Sequence, residues 1–235
     1  MICCPVCLST DLAICGHCKA WTWRSCPVCG HAVLDIPEIA NDEFQANYRK
    51  HMPTTGDIVD GILNVEQYTK NRATLKANRL ALVGSYISDA ASILDIGCGG
   101  GYMLSDFKES HHIVGIEVDP LCVEACSSLG VPCYAPTWLA ESTEKFDIVM
   151  LWHVLEHVYD ARKLMGVAIE KLNKGGHLII EVPISRGFPK RYDGHIHGFT
   201  KHSLGVLFKD VVALDIIQQM PGVQTPAYLV IGRLP

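Results

Sequence analysis

Four cysteines near the amino terminus form two C-x-x-C pairs of almost identical sequence, Cys4-Pro5-Val6-Cys7 and Cys26-Pro27-Val28-Cys29. Each pair brings two thiolates onto one tight turn, and 18 residues separate the pairs. Two such pairs are a common way to build a tetrahedral zinc site, because four thiolates complete the coordination of the ion. The pattern therefore predicts a zinc-ribbon module with Cys4, Cys7, Cys26 and Cys29 as ligands.

A third pair, Cys15 and Cys18, lies between the first two, and six cysteines exceed what one zinc ion requires. This pair either binds a second ion, with help from His17 or His31, or remains as free thiols. A module of this size buries too little apolar surface to fold alone, so bound metal would supply much of its stability. We expect a structural role; the alternative is recognition by a stacking surface of Trp21, Trp23 and Arg24.

A glycine-rich segment, Gly97-Cys98-Gly99-Gly100-Gly101, follows the apolar run at residues 93–96. An apolar strand that leads into such a turn lets the backbone approach a ligand closely, since glycine tolerates positive φ angles. A helix predicted over residues 101–109 would add unpaired N–H groups that suit a carboxylate or a phosphate. By itself such a turn is equally compatible with a dinucleotide-binding enzyme.

Two acidic residues weaken the dinucleotide interpretation. Asp95 precedes the first glycine, and Glu117 follows 22 residues later, at the end of the next predicted strand. A carboxylate at that place can accept hydrogen bonds from both ribose hydroxyls of an adenosine. The D-x-G-C-G-G-G sequence also lacks the G-x-G-x-x-G spacing of dinucleotide-binding enzymes.

His153, Glu156 and His157 are spaced i, i+3 and i+4, so they would share one face of a helical turn. Two or more such residues on one face can share a metal ion. The alternative, which we favour, is a loop whose histidines bind no catalytic metal.

A second histidine-containing segment runs from Asp193 to Thr200 and includes His195 and His197, with His202 beyond it. A short basic cluster precedes it, formed by Arg186, Lys190 and Arg191. That cluster either meets an anionic substrate or is a solvated loop, and the second interpretation is the more common one for a short charge run.

The elements that must position these residues alternate between short apolar runs and helical stretches. A helical pattern covers residues 66–86. Further strands are predicted at residues 92–96, 112–118, 132–134, 146–152, 176–182, 211–218 and 227–233, and further helices at 101–109, 121–129 and 161–171. Alternation at this spacing predicts parallel β-α-β units, and thus an α/β, Rossmann-like doubly wound sheet with helices on both faces.

The chain has 235 residues, a formal net charge of −5 and an apolar fraction of 49%. These values indicate a globular protein, and the acidic balance disfavours a nucleic-acid partner. No apolar run reaches the roughly 18 residues of a membrane span, and we see no secretory signal, so we expect a cytoplasmic protein. We divide the chain into a zinc-ribbon-like module (1–35), a linker with amino-terminal helices (36–90) and a catalytic domain (91–235).

Four motifs in order, at residues 93–104, 114–120, 146–160 and 172–183, resemble the class I methyltransferase superfamily. Within it the chain is similar to the bacterial small-molecule branch, which includes ubiquinone-type O-methyltransferases and sugar methyltransferases. The resemblance covers about residues 65–210, and it implies S-adenosylmethionine as the methyl donor. Some relatives in this branch also carry an amino-terminal cysteine module that continues into an apolar strand, as residues 33–37 do here.

The resemblance implies a set of cofactor contacts. Asp95 would anchor the amino group of the cofactor and Glu117 its ribose, with Val118 against the adenine. An acidic residue that the family often places after the third strand is missing, so the adenine contact would pass to Thr137, Trp138 or backbone. The glycine-turn residues and the end of the fourth strand would line the methionine and sulfonium, which adds Gly97, Cys98, Gly99, Gly101, Leu151 and Trp152.

Methyl transfer to a hydroxyl or a carbon acid also requires removal of a proton, and histidine suits that task because its pKa is near neutrality. His195, which aligns with the histidine of the family's H-x-x-x-F-T pattern, or His153 could be the base. The alternative is that these histidines only bind loop backbone or shape the pocket. We expect His197, His202 and Asp193 to be pocket or surface residues.

The sequence therefore predicts an S-adenosylmethionine-dependent methyltransferase that acts on a small molecule. O-methylation is favoured, and C- or N-methylation of a sugar or other metabolite stays open. One alternative is an RNA methyltransferase that uses the zinc module for recognition, although the chain lacks an Asn/Asp-Pro-Pro-Tyr/Phe motif. Another is a non-catalytic S-adenosylmethionine-binding protein. No motif specifies the acceptor or the oligomeric state.

Overall fold

The computed structural model describes residues 3–18, 21–36, 58–59, 62–184, 194–218 and 226–235. These residues contain a four-stranded sheet, a seven-stranded sheet and a two-stranded hairpin. Asp193 and the basic cluster of Arg186, Lys190 and Arg191 lie outside the described residues.

The four-stranded sheet is antiparallel and contains most of the amino-terminal module. Its first three strands are β1 (Ala13–Cys18), β2 (Trp21–Ser25) and β3 (Ala32–Asp35). Its fourth strand is contributed by a distant segment, His197–Gly198, which is β11 in chain order. A small core lies against this sheet, made of Trp23, Ala32, Leu34, Ile36 and Ile196.

A short hairpin of β4 (Ile58–Val59) and β5 (Ile62–Leu63) precedes the large sheet. The seven strands of that sheet lie in the order β12-β13-β10-β9-β6-β7-β8. The five strands from β10 to β8 are parallel, whereas β12 and β13 pair antiparallel at one edge. Their bounds are β6 Ser92–Ile96, β7 His112–Ile116, β8 Cys133–Tyr134, β9 Phe146–Trp152, β10 Leu172–Pro183, β12 Val212–Gln218 and β13 Ala227–Arg233.

Five α-helices and two 3-10 turns complete the described part of the chain. The helices are α1 Val65–Val83, α2 Pro120–Leu129, α3 Trp138–Glu141, α4 Ala161–Glu170 and α5 Lys201–Leu207, and the 3-10 turns are Gly84–Tyr86 and Leu104–Asp106. Helices α1, α2, α4 and α5 start where a side chain accepts a hydrogen bond from the first helical turn, at Asn64, Asp119, Asp160 and Thr200. No helix within the described ranges combines the length and the apolar character that crossing a bilayer demands.

Alternate side chains of the central strands pack on opposite faces of the large sheet, as the twofold repeat of a β-strand requires. On one face Leu94 and Val114 pack with α4 and α5. On the other face Ile93 and Ile113 pack with α1 and α2. The doubly wound architecture predicted from the sequence is therefore confirmed.

The predicted helix over residues 101–109 is wrong. Gly101 has φ +77°, a left-handed conformation from which a right-handed helix cannot start. The segment forms turns around the 3-10 turn Leu104–Asp106 instead. The segment therefore offers no α-helix amino terminus to a ligand, and the N–H groups from Gly97 to Gly101 all donate to protein acceptors.

Candidate functional site

The glycine turn after β6 is packed so closely that larger side chains do not fit. Gly97 and Gly99 both have positive φ, +77° and +54°. A Cβ at Gly97 would lie 2.5 Å from Cγ2 of Val154, and one at Gly99 would lie 2.6 Å from the hydroxyl oxygen of Tyr68. Tyr68 also accepts a hydrogen bond of 3.0 Å from the Gly100 N–H. This residue of α1, which the sequence analysis missed, thus closes one side of the turn.

Glu117 follows β7 and bridges to the glycine turn. Its Oε2 accepts a hydrogen bond from the Gly99 N–H at 2.8 Å, and its Oε1 accepts from the N–H groups of Val118 and Asp119 at 2.6 and 3.0 Å. Burial raises the pKa of Glu117, and these backbone donors oppose that shift. The carboxylate therefore lies beside the turn at the carboxyl edge of the sheet, where a ligand of an open α/β sheet binds.

Asp95 lies at the end of β6 and is almost completely buried, with 1% of its surface exposed. Its Oδ1 has no hydrogen-bond partner among the residues that the structure describes. Burial raises the pKa of Asp95 to about 7, although the nearby Arg79 guanidinium lowers it. An acceptor buried without a partner is costly, so this oxygen fits a ligand that brings a donor, such as an ammonium group.

Two of the predicted adenine contacts lie after β8. Thr137 is exposed. The Trp138 ring stacks on Tyr134 with a centroid distance of 5.4 Å, and the Lys171 ammonium lies 5.5 Å from its centroid. Protein groups therefore already contact Trp138, and its role toward adenine stays a prediction, as does that of the exposed Val118.

A buried ionic network occupies the carboxyl ends of β9 and β10. Arg79 of α1 donates a hydrogen bond of 2.5 Å to Oε1 of Glu181, and it also contacts the Tyr102 hydroxyl. Its guanidinium lies 4.6 Å from the centroid of Trp152, which ends β9 directly after Leu151. The side chains of Arg79 and Glu181 are both nearly inaccessible to solvent, so each charge depends on the other for compensation.

Arg79 and Glu181 were not among the predicted site residues, although each has a recognisable signal in the sequence. Arg79 shares the buried face of α1 with Tyr68 and Val83. Glu181 interrupts the apolar run of β10 just before its carboxyl end. A charged residue at a core-facing position is rare unless it is paired.

His153 follows β9 and is held between two carboxylates. Its Nδ1 lies 2.9 Å from Oε1 of Glu156, and its Nε2 lies 2.8 Å from Oε1 of Glu181. Burial alone would lower the pKa of His153, but the hydrogen bonds to Glu156 and Glu181 outweigh it and raise the pKa to about 9. The ring is therefore a charged double donor at neutral pH, a state in which it cannot accept a proton.

His195 lies on the other side of Glu156. Its ring contacts the His157 ring edge to face, with centroids 4.8 Å apart, and His157 Nδ1 donates to the carbonyl of Gly194 at 3.0 Å. Glu156, His157 and His195 each offer one atom that could bind a metal ion, and these three atoms lie within 4.8 Å of one another. The His153 hydrogen bond and charge lower the pKa of the buried Glu156 to about 2, against the effect of its burial. The structure thus unites both predicted histidine segments in one cluster.

Of the remaining histidines of the second segment, His202 lies on the surface, whereas His197 is buried and is not a surface residue. His197 is 2% exposed and hydrogen-bonded to protein groups on both ring nitrogens. His202, at the second position of α5, is exposed.

The four predicted zinc ligands converge at one point. The Sγ atoms of Cys4 and Cys29 are 3.6 Å apart, those of Cys7 and Cys26 are 3.4 Å apart, and all four lie within 4.8 Å of one another. Tetrahedral coordination at about 2.3 Å requires sulfur–sulfur distances of about 3.8 Å. None of the cysteines that the structure describes forms a disulfide.

The two turns that carry these thiols repeat the same backbone hydrogen bonds. In the first turn Cys4 N–H donates to Ser9, and Leu8 N–H donates to the Cys4 carbonyl. In the second turn the Cys26 N–H donates to the His31 carbonyl, and the Gly30 N–H donates to the Cys26 carbonyl. Cys15 is not part of the four-sulfur group, and the side chain of Cys18 lies outside the described residues. A second ion there stays a prediction.

Comparison with known proteins identifies the family. A family model described as a methyltransferase domain matches residues 68–211, more than half of the chain. The ubiquinone biosynthesis O-methyltransferase of Brucella anthropi is 33% identical over 101 residues, which cover 39% of this chain and 41% of the relative. The corresponding protein of Brucella melitensis is 30% identical over 122 residues, 48% of this chain and 49% of the relative. The chain thus spans about half, or less, of the curated relatives it matches.

Two solved structures illustrate the similarity in fold. The N-methyltransferase NodS from Bradyrhizobium japonicum, in complex with S-adenosyl-L-homocysteine, aligns with a TM-score of 0.57 at 19% identity, over 83% of this chain and 98% of NodS. An S-adenosylmethionine-dependent methyltransferase from Archaeoglobus fulgidus aligns with a TM-score of 0.55 at 18% identity, over 69% of this chain and 94% of that protein. The chain therefore belongs to the methyltransferase domain family, and its fold is that of the class I, S-adenosylmethionine-dependent methyltransferases.

Proposed function

We propose that the protein transfers a methyl group from S-adenosylmethionine to an oxygen atom of a small-molecule acceptor. The observation that carries this proposal is the pair of carboxylates around the glycine turn, with Asp95 Oδ1 buried without a partner and Glu117 beside Gly99. An ammonium group matches the first carboxylate, and vicinal ribose hydroxyls match the second.

The cofactor contacts follow from that placement. The turn residues Gly97, Cys98, Gly99 and Gly101 would line the methionine part, because their turn follows Asp95 at the carboxyl end of β6 and bonds to Glu117. Leu151 and Trp152 end β9 next to the turn and would lie beside the sulfonium. Thr137 is our preferred contact for the adenine, since Trp138 is already stacked on Tyr134.

S-adenosylmethionine supplies a methyl group on a sulfonium, so the chain must align the acceptor and take up its proton. We assign the proton uptake to His195, which is partly exposed, and not to His153. His153 has both ring nitrogens on carboxylates and is already charged at neutral pH. It is instead a positioning residue that joins the ends of β9 and β10.

The choice of an oxygen acceptor rests on two arguments. A hydroxyl is a poor nucleophile until it loses its proton, and a histidine base meets that requirement. The curated relatives are named O-methyltransferases of ubiquinone biosynthesis. The acidic chain, with its net charge of −5, gives no support to a nucleic-acid acceptor.

For the amino-terminal module we propose one structural zinc ion on Cys4, Cys7, Cys26 and Cys29. The donor set is right for zinc, and the sulfur distances of 3.4 and 3.6 Å are close to those of a tetrahedral site. Cys29→Ser should leave less than one zinc per chain by elemental analysis, whereas Cys122→Ser, on α2, should keep it. Full zinc content in Cys29→Ser would contradict this ligand set.

The function is tested by calorimetry with S-adenosylmethionine and S-adenosylhomocysteine on folded, zinc-loaded protein, followed by a metabolite screen with labelled methyl donor. We expect binding of both ligands and label on a phenolic or alcoholic acceptor. If the calorimeter records no heat of binding for S-adenosylmethionine and none for S-adenosylhomocysteine, the enzyme interpretation is excluded. Tight, steeply salt-dependent binding to tRNA or rRNA fragments would replace the small-molecule acceptor by RNA.

A further inference from the structure

The segment that carries His195 belongs to the sheet of the cysteine module. Strand β11 pairs antiparallel with β3, so that His197 lies opposite Val33 and Gly198 opposite Ala32. The Leu34 N–H also donates to the carbonyl of Ile196 at 2.9 Å. The backbone directly after His195 is thus held by a strand that begins three residues after the last cysteine of the four-sulfur group.

A buried histidine pair reinforces this connection. Nε2 of His31 lies 3.0 Å from Nδ1 of His197, and both residues are almost inaccessible to solvent. Nε2 of His197 lies 2.8 Å from the carbonyl of Val158, which can only accept. In the neutral pair Nε2 of His197 therefore carries the proton, and its Nδ1 accepts the hydrogen bond that His31 donates.

A third contact reaches the cysteine turn itself. The Thr200 hydroxyl donates to the carbonyl of Cys29 at 3.2 Å, while Thr200 also caps α5. A Cβ at Gly30 would lie 3.3 Å from Oγ1 of Thr200, so the two segments are in close contact. The methyltransferase domain holds the other side, where the N–H of Ile196 donates to the Glu156 carbonyl at 2.7 Å.

We infer that the cysteine module positions the acceptor side of the site, which we define as the cluster of His153, Glu156, His157 and His195. The positioning residues are His31 and His197. The module holds the backbone at Ile196–Thr200 on one side and Glu156 holds it on the other. His195, one residue away, is thereby fixed against His157. This inference rests on the proposed function only in giving His195 a catalytic role; the mechanical linkage can be tested without it.

The inference separates the two halves of the site. None of the contacts between β3, His31 or Cys29 and the methyltransferase domain described above involves Asp95, Glu117 or the glycine turn. Disturbing the module should therefore move His195 and leave the cofactor side intact. A module that only stabilised the protein would affect both halves alike.

The test compares His31→Leu with His31→Gln, which retains a donor near the place of Nε2, in full-length zinc-loaded protein. Ile231→Val is the matched control, since Ile231 of β13 is fully buried in the cluster on the other face of the sheet, which contains no residue of the cysteine module. The readout is the 13C-ε1 NMR resonance of His195 in histidine-labelled protein, assigned by its loss in His195→Gln. Zinc content and S-adenosylhomocysteine affinity are measured on the same samples.

We expect His31→Leu to shift or broaden the His195 resonance while zinc content and S-adenosylhomocysteine affinity stay within about twofold of wild type. His31→Gln should restore the resonance, and Ile231→Val should not move it. With an identified acceptor, kcat of His31→Leu should fall about 100-fold, as a misplaced catalytic group predicts. Removal of zinc by a chelator should reproduce the resonance change, and added zinc should reverse it.

An unchanged His195 resonance in His31→Leu would overturn the inference, as would an equal change in Ile231→Val. If His31→Leu does not fold, the same comparison with His197→Leu and His197→Asn decides. Failure of the proposed function gives a different result. Wild-type protein would then bind neither S-adenosylmethionine nor S-adenosylhomocysteine, while the NMR comparison would still report whether the module positions His195.

Discussion

The proposed cofactor side of this site, around Glu117 and the glycine turn, and its proposed acceptor side, around His153, Glu156 and His195, are built from different kinds of contact. On the cofactor side, Glu117 bonds to Gly99 across a sequence separation of 18 residues, with two consecutive strands of one sheet supplying both groups. On the acceptor side, Arg79 and Glu181 are 102 residues apart, and His31 and His197 are 166 apart. One side is a local motif, and the other is an assembly of distant segments.

This difference indicates which part of the site can vary between proteins that use different acceptors. A local turn that recognises the methyl donor can be kept unchanged while distant segments are rearranged for another acceptor. It also means that the two sides should respond differently to substitution. The acceptor side contains buried charges that depend on one another, whereas Glu117 is partly exposed and held by backbone donors.

The largest effect is expected from Glu181→Ala. This change removes the carboxylate that pairs with both Arg79 and His153, so the buried Arg79 loses its carboxylate and His153 keeps only Glu156. Unpaired buried charges cost about 3–5 kcal/mol, so the free energy of unfolding in urea should fall by that amount. Glu144→Ala is the control, since its ion pair with His112 is half exposed and should be worth about 1 kcal/mol or less. Equal losses in both variants would contradict the central role of the buried network.

His195→Ala should act on turnover and leave the cofactor side alone. Loss of a general base lowers kcat about 100-fold or more, while S-adenosylhomocysteine affinity should remain within about twofold because the His195 ring packs against His157. Steady-state kinetics and calorimetry on the same preparation measure both. His202→Ala, an exposed neighbour on α5, is the control. An unchanged kcat would demote His195 to a pocket residue.

Glu117→Ala should weaken cofactor binding, in contrast to His195→Ala. Two lost hydrogen bonds from ribose hydroxyls to a carboxylate are worth about 2 kcal/mol or more together, which is about 30-fold in affinity for S-adenosylhomocysteine. Urea unfolding should change little, since the backbone donors around Glu117 can turn to water. Glu124→Ala, on the exposed surface of α2, is the control for charge. Wild-type affinity in Glu117→Ala would mean that the ribose lies elsewhere.

The smallest effect is a dependence of stability on pH that comes from His153. Its pKa is raised from 6.5 to about 9 in the folded protein, so its contribution is complete below about pH 6.5 and is lost as pH rises through 9. Because a third of its side chain is exposed, we expect only about 1–2 kcal/mol. Urea unfolding at pH 6 and pH 9.5 should show this loss in wild type beyond that in His153→Gln. Parallel pH profiles in the two proteins would exclude a charged His153.

Regular elements with strong apolar patterns could be predicted from the sequence. Strands β6, β9 and β13 have the predicted bounds, because each is a mostly apolar run between turns. The segment 101–109 could not be predicted as reliably, since its helical composition competes with Gly101, which has a left-handed conformation and lies close to Cys126 and Val131. Strand β11 has two residues and exists only because β3 lies beside it.

The domain boundaries near residues 35 and 90 stay predictions of the sequence. The contacts complicate a simple division, since β11 lies far beyond the module in sequence yet completes its sheet. Arg162 of α4 also donates a hydrogen bond to the carbonyl of Val6, between two cysteines of the four-sulfur group. The module and the methyltransferase domain therefore share contacts that no compositional boundary indicates.

The sequence by itself determined the methyltransferase family, the glycine turn with its two carboxylates, and the two cysteine pairs. These are motifs in which ligand-facing groups are separated by one turn or one strand, so residue spacing alone places them. Only the tertiary structure decided that His153 is a charged bridge between Glu156 and Glu181, and that His195 is fixed through the cysteine module. The physical reason is that a proton affinity and a side-chain position depend on which buried charges and donors lie nearby, and here those come from segments far apart in the chain.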